Sequence, residues 1–381
     1  MDRNQSNIIP VYKPFLGKKE EEYVLDCLRS GWVSSLGHYV NRFEKLMATH
    51  YNVKHAVALS SCTAALHLGL LAMGIGPGDE VIIPDFTLIV SASSVIWTGA
   101  KPVLTDVDSD TWCMDPSKIE DAISKRTKAI MPVHMYGHPV HMKALVFLAK
   151  KYNLKILADC AHAHGAQYDQ SEKNILGNVG VFSFYGNKTL TTGEGGILLT
   201  DDDSITAKVR LLMNQGFKKP RFQHDELGFN YRITNIQAAI GCAQVERFDK
   251  IVQQKRKIAD AYTRELSDLS HLQLPAEKKW AKNAFWVYGI VLKNPLAIDR
   301  GSLIKALYER GIETRPFFFP LHRQPVFLEH KAPIRTNYPY VEGAFPVSDH
   351  IGENGLYLPS SPNLTINEIK YICHTLRELL S

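Results

Sequence analysis

Two residues in this chain have the types and the settings to do covalent chemistry together. Lys188 stands in the run Phe182-Ser-Phe-Tyr-Gly-Asn-Lys-Thr-Leu-Thr-Thr-Gly-Glu-Gly-Gly196, and Asp159 closes the apolar run Ile156-Leu-Ala. A lysine amine can hold an aldehyde cofactor as a Schiff base. A carboxylate beneath a pyridine nitrogen keeps that nitrogen protonated, so the ring can accept electrons. Such chemistry needs both groups.

The elements that must position them are legible nearby. Asp159 ends a strand-like run from Lys155, and the carboxyl ends of parallel strands commonly carry ligand-binding groups. Lys188 follows a second apolar run, Val179 to Tyr185, and is bounded by Gly186, Gly193, Gly195 and Gly196. A glycine-rich turn lets the backbone bend sharply and approach a ligand closely. An arbitrary loop lysine is a surface residue; the flanking pattern and the upstream aspartate set this one apart. The pair points to pyridoxal 5'-phosphate.

That cofactor also needs a phosphate cup. Ser60-Ser-Cys-Thr-Ala-Ala65 follows the first apolar strand and opens a helical pattern. Ser61, Cys62 and Thr63 can therefore present backbone N–H groups and a hydroxyl to an anion at a helix N-terminus. An ordinary helix cap reads equally well from the same residues. Ser183 supplies a second hydroxyl upstream of Lys188.

Composition narrows the class. At 381 residues the chain exceeds what one hydrophobic core usually holds, so a large domain and a smaller one are expected. Apolar content of 45% and charged content of 22% are ordinary for a folded soluble protein. A net charge of +5 suits an acidic small molecule such as a nucleotide sugar, and falls short of a nucleic-acid footprint. Six cysteines are scattered without metal-ligand spacing, which reads as reduced cytoplasmic thiols. No signal-peptide core occurs near Met1 to Phe15, and no run reaches the roughly 18 apolar residues of a membrane span. A cytoplasmic protein without membrane or nucleic-acid partners follows.

From His55 onward, short apolar runs alternate with helical patterns: His55 to Ser60, Thr63 to Met73, Glu80 to Pro84, Ile89 to Thr98, Pro102 to Asp106 and Pro116 to Ser124. The alternation continues through Ala129 to His134, Val140 to Tyr152, Lys155 to Asp159 and Val179 to Phe184. This predicts an α/β fold with a mostly parallel sheet flanked by helices. Long helical stretches follow from Asn235 to Leu266, and one of them, rich in charge from Arg247 to Arg264, leads into a smaller C-terminal α/β domain, with the boundary at residues 1–250 and 251–381. His134, His138 and His141 have the spacing of a helical metal face, but Gly137 and Pro139 break such a helix, so a turn is expected and no metal.

Beyond these readings, the chain resembles the DegT/DnrJ/EryC1/StrS sugar-nucleotide aminotransferases, which have the fold-type I architecture. The resemblance runs almost end to end. It rests on Ser30 to Ser35, Ser61 to Leu68, Gly78 to Pro84, Asp159-Cys-Ala, the Lys188 segment, Gly228-Phe-Asn-Tyr-Arg-Ile-Thr-Asn235 and Glu313-Thr-Arg-Pro-Phe-Phe-Phe-Pro-Leu-His322. It implies that Lys188 joins the cofactor aldehyde, that Asp159 pairs with the ring nitrogen, and that Cys62, Thr63 and Ser183 hold the phosphate. It also implies a homodimer with composite sites, Asn230 reaching in from the partner subunit. Arg232, Arg315 and His322 become candidate contacts for the glutamate carboxylate or substrate phosphates, with a structural ion pair or cap the competing reading for each.

Two positions depart from the family pattern. Relatives often place Gln or Glu where this chain has His162, whose charge near neutral pH the sequence leaves open. Relatives also often stack an aromatic side chain on the cofactor at Leu88; here either Leu88 packs on the ring or Phe86 substitutes. The activity implied is transfer of an amino group from L-glutamate to a nucleotide-linked 4-keto-6-deoxy sugar, GDP-4-keto-6-deoxy-D-mannose matching best. UDP- or dTDP-linked keto sugars and keto sugar acids remain alternatives, followed by a sugar dehydratase, whose branch carries His at the position of Lys188, and a noncatalytic regulator.

Overall fold

The computed structural model describes residues 8–380 apart from 219, 221, 225, 294–297 and 329–343. Seven strands form the central sheet: β1 (His55–Leu59), β2 (Glu80–Pro84), β3 (Lys101–Thr105), β4 (Thr127–Ile130), β5 (Lys155–Asp159), β6 (Val179–Ser183) and β7 (Gly196–Thr200). Their spatial order is β1-β7-β6-β5-β4-β2-β3. Pairings from β3 through β6 are parallel, and β7 runs antiparallel to both β6 and β1.

Parallel strands covered on both faces are apolar along their length, and β2 and β6 are buried at every residue. Successive side chains point to opposite faces, so Ala56 and Ala58 join one core cluster while Val57 and Leu59 join another. The covering helices are α1 (Lys18–Ser30), α2 (His38–His50), α3 (Cys62–Ala72), α4 (Val90–Trp97), α5 (Met142–Tyr152), α6 (Asp203–Met213) and α7 (Asn235–Val245).

The helical stretches expected between Asn235 and Leu266 are two helices, parted at Glu246 and Arg247. Helix α8 (Phe248–Leu266) starts after Arg247, whose guanidinium is tied to Glu20 and to the Phe15 carbonyl. Ile251 and Val252 belong to the first core, while Ile258, Ala259, Tyr262 and Leu266 belong to a third. That third core lies between α8, α9 (Arg300–Glu309), α11 (Ile366–Leu380) and a second, antiparallel sheet. The sheet orders β10 (Arg315–Pro316), β11 (Gly355–Leu358), β9 (Tyr288–Leu292) and β8 (Leu272–Gln273).

Two aspartates beyond the carboxyl ends of β2 and β3 clamp this C-terminal part to the central sheet. Asp85 accepts from the backbone N–H and the Nδ1 of His322, each at 2.8 Å. Asp106 accepts from the N–H groups of Val347 and Ser348, both at 3.0 Å, at the start of α10 (Pro346–Asn354). The N-terminal residues cross to the same part: Val11 N–H donates to Glu313, and the Ser360 N–H donates to the Val11 carbonyl. Among the described residues, no helix is long and apolar enough to cross a membrane.

Candidate active site

Strands β5 and β6 are neighbours, with Asp159 opposite Val181, so the carboxyl end of one places Asp159 beside the loop that leaves the other. That loop is the β6–β7 hairpin, and it carries Lys188. The hairpin is closed by Phe184 N–H to the Gly195 carbonyl and Thr192 N–H to the Phe184 carbonyl, both 2.9 Å, and Lys188 N–H turns back onto the Tyr185 carbonyl at 2.9 Å. Antiparallel β7 was not among the expected strands; it is the element that folds the lysine back over the sheet.

Lys188 and Asp159 line one cavity of about 350 Å³, within the range of small-molecule sites. Ser61, Cys62, Thr63, Leu88, His162 and Ser183 line it too. Asn230, Arg232, Arg315 and His322 are not among its lining residues. Asn230 is exposed, Arg232 donates to the Asn214 side chain at 2.8 Å, Arg315 pairs with Glu313 at 2.8 Å, and His322 is held by Asp85. Phe86 is fully buried against Tyr136, Phe317 and Phe318, so Leu88 is the residue of that pair at the cavity wall.

Electrostatics separate the titratable groups. Burial pulls the Lys188 amine down to about 8, partly offset by Cys62 and Asp159. Burial pushes the Asp159 carboxyl up, against the Ala161 N–H bond and the charge of Lys188. One carboxylate oxygen of Asp159 accepts that N–H at 3.0 Å, while among the described residues the other has only a long 3.5 Å contact from Ser91 Oγ. Such an acid is suited to a buried cationic partner, as a protonated ring nitrogen would be.

Burial, and then the nearby Lys188 charge, hold the His162 imidazole well below the usual range. Its Nδ1 accepts from Tyr136 N–H at 3.4 Å, and its ring stacks on Trp286 with centroids 3.9 Å apart.

The helix entrance meets the needs of a phosphate cup. Ser61 caps α3 by accepting from Ala64 N–H at 3.1 Å, and its carbonyl accepts from Ala65 N–H. The N–H groups of Cys62 and Thr63 have no partner among the described residues, so the cap and the anion site coexist at one helix start. Strand β7 closes the floor: a Cβ on Gly196 would sit 2.4 Å from the Ser61 carbonyl group. Asn187 also lines the cavity, and its buried Oδ1 has no partner among the described residues. Uncommitted donors, an under-satisfied buried acid and a buried amine together fit pyridoxal phosphate.

Trp286, Phe318 and Tyr357 complete the wall. Phe318 lies within the Glu313 to His322 motif, which does not single it out, whereas Trp286 and Tyr357 come from runs whose own pattern signals only packing. The three histidines read as a turn each bond to main chain: His134 to Ile175 and Val140, His138 to Pro139 and Lys278, His141 to Ala144.

Fold and site together are those of a pyridoxal-phosphate-dependent aminotransferase. The chain belongs to the DegT/DnrJ/EryC1/StrS aminotransferase family, whose model matches residues 14–377. It is similar to the GDP-perosamine synthase of Escherichia coli O157:H7, at 42% identity over 98% of this chain and 99% of the relative. It is also similar to the GDP-perosamine synthase of Caulobacter vibrioides, at 42% identity over 98% of each. A sugar aminotransferase from Streptococcus pneumoniae, solved in its PLP form, is 26% identical with a TM-score of 0.89 over 98% of each chain.

Proposed function

We propose that this enzyme moves an amino group from L-glutamate to GDP-4-keto-6-deoxy-D-mannose, giving GDP-perosamine, an activated amino sugar for polysaccharide assembly. The observation that carries the reaction class is the convergence of a buried Lys188 and a buried Asp159 on one cavity. The acceptor rests on three relatives, each 40–42% identical over nearly the whole chain and each named GDP-perosamine synthase.

Cys62, Thr63 and Ser183 would hold the phosphate of the cofactor, Asp159 its ring nitrogen and Lys188 its aldehyde carbon, with Leu88 and His162 against the ring. Bound there, pyridoxal phosphate supplies a ring that accepts the electron pair left when a proton departs from the carbon bearing the nitrogen. Asp159 would keep the ring nitrogen of the bound cofactor protonated. The freed Nζ of Lys188 takes a proton from the α-carbon of glutamate and, in the second half of the cycle, delivers one to C4 of the sugar. Near neutral pH an amine with a value of about 8 is partly neutral and can do both.

A homodimer with composite sites accords with this reading. Among the described residues, Lys188 is the only lysine or arginine in the cavity lining, whereas a diphosphate and a dicarboxylate call for several positive groups. Asn230 is exposed, and so are Trp32, Val33 and Leu36. Arg232 is the strongest of the three cationic candidates, since its partner Asn214 is neutral while Arg315 and His322 are paired with acids. Six free, buried cysteines suit a cytoplasmic setting.

The test is to load the enzyme with amine from glutamate and offer GDP-, dTDP- and UDP-linked 4-keto-6-deoxy sugars in turn, following the absorbance of the cofactor. The GDP sugar should restore the aldehyde form fastest. Restoration by another nucleotide sugar alone would reassign the acceptor.

A further inference from the structure

Trp286 has no part in the roles described above, yet it touches the reactive lysine. The Lys188 Nζ lies 3.7 Å from the centre of its indole, and the indole Nε1–H donates to the carbonyl of Asn187 at 2.7 Å. The same ring stacks on His162 with planes 15° apart. One side chain thus contacts the amine, the peptide beside it and the imidazole at the cavity wall.

The backbone that delivers this ring is strained. Tyr136 and Phe285 have φ of 52° and 47°, a left-handed conformation that is an outlier for bulky residues. The two strained segments pair with each other: Trp286 N–H donates to the Tyr136 carbonyl at 3.0 Å, and Ala284 N–H to the Gly137 carbonyl at 2.9 Å. Only glycine fits between them, since a Cβ at Gly137 would lie 2.7 Å from the Phe285 nitrogen and 2.9 Å from that of Trp286. Strain of this kind persists where the surroundings over-determine it, and it gathers at functional sites.

A lysine that alternates between joined and free states leaves a buried amine to be accommodated in the free state. Among the described residues no ion pair holds the Lys188 Nζ. An aromatic face attracts a cation, and more strongly when water is excluded. We propose that Trp286 is a positioning residue that seats the amine of Lys188 whenever that amine is not joined to the cofactor, returning it to one place for each proton transfer. The inference rests on the aminotransferase reading and adds where the free base waits. The titratable groups that interact with this amine are Asp159 at the end of β5, Cys62 at the start of α3, and His162 and His164 in the turn after β5; Tyr185, Glu194 and Tyr357 also line the cavity.

The experiment uses full-length protein saturated with pyridoxal phosphate and then treated with glutamate, which frees Lys188. Wild type, Trp286→Phe and Trp286→Leu are labelled with acetic anhydride from about pH 6 to about pH 10, and acetylation of Lys188 is followed by peptide mass spectrometry. Loss of the ring removes a contact that favours the protonated amine. The midpoint in Trp286→Leu should therefore fall by roughly half to one and a half pH units, with Trp286→Phe in between. A midpoint unchanged in Trp286→Leu, while it still retains cofactor and responds to glutamate, overturns the proposal. Should Trp286→Leu not fold, Trp286→Phe decides on its own: a smaller downward shift supports the seat and no shift refutes it. A wild-type protein whose absorbance ignores glutamate would count against the aminotransferase reading instead.

Discussion

The hydroxyl of Tyr12 donates to the carbonyl oxygen of Lys188 at 2.6 Å, so a residue distant in sequence holds the peptide that carries the buried amine. Tyr12 is itself gripped from below, with the Lys255 Nζ over its ring at 5.4 Å. Tyr12→Phe keeps the ring and removes the donor. A buried hydrogen bond contributes about 0.5–1.5 kcal/mol net, so cofactor affinity should weaken by roughly twofold to tenfold with little change in fold. Equilibrium titration with pyridoxal phosphate checks this; unchanged affinity would show that the bond does not steady Lys188.

The freed Lys188 acts as a base only when neutral, and burial sets its value near 8. The rate of the glutamate half-reaction should rise with pH through that region and level off above it. Stopped-flow absorbance across the range reads the profile, and a rate that falls as pH rises would assign the proton transfer to another group.

Lys255 is almost fully buried, its amine donates to the Ser360 carbonyl, and burial pulls it down to about 7. Between that value and about 10.4 for an unfolded lysine, the unfolded chain binds a proton that the folded chain does not. Stability contributed by this site therefore increases with pH over that interval, by up to about 1.4 kcal/mol per unit. Relative to Lys255→Met, wild type should gain thermal stability from pH 7 to pH 9. A constant difference between the two melting curves would mean that Lys255 stays charged in the fold.

His322 behaves in the opposite sense. Burial lowers its imidazole, but the bond to Asp85 and the charges of Asp85 and Asp349 outweigh that and raise it. A group raised on folding stabilises fully below the unfolded value of about 6.5, and the benefit is lost as pH climbs through the folded value. Melting temperatures of wild type should drop relative to His322→Gln over that climb. His322→Ala should also cost about 1–3 kcal/mol at neutral pH, because the fully buried Asp85 loses a partner.

The meeting of Lys188 and Asp159 at one cavity was legible because each residue follows an apolar run, and neighbouring parallel strands bring such ends together. Elsewhere local pattern and tertiary structure part company. The strand expected from Ala129 to His134 stops at Ile130, since Pro132 has no N–H to give the ladder, and only an isolated pairing of Val133 with Asp159 continues it. The hairpin strand β7 carries an apolar run that does not announce its direction. Trp286 is invisible to spacing, because its approach to Lys188 depends on two left-handed aromatic residues that no propensity favours. His322 shows the converse: a motif histidine whose partner, Asp85, lies far away in sequence.

The most direct test of the central claim is borohydride reduction of the protein saturated with pyridoxal phosphate, followed by digestion and peptide mass spectrometry. A pyridoxyl group should appear on Lys188 and be lost in Lys188→Ala. A modified Lys255, the other deeply buried lysine with a depressed value, or no modified lysine at all, would contradict it.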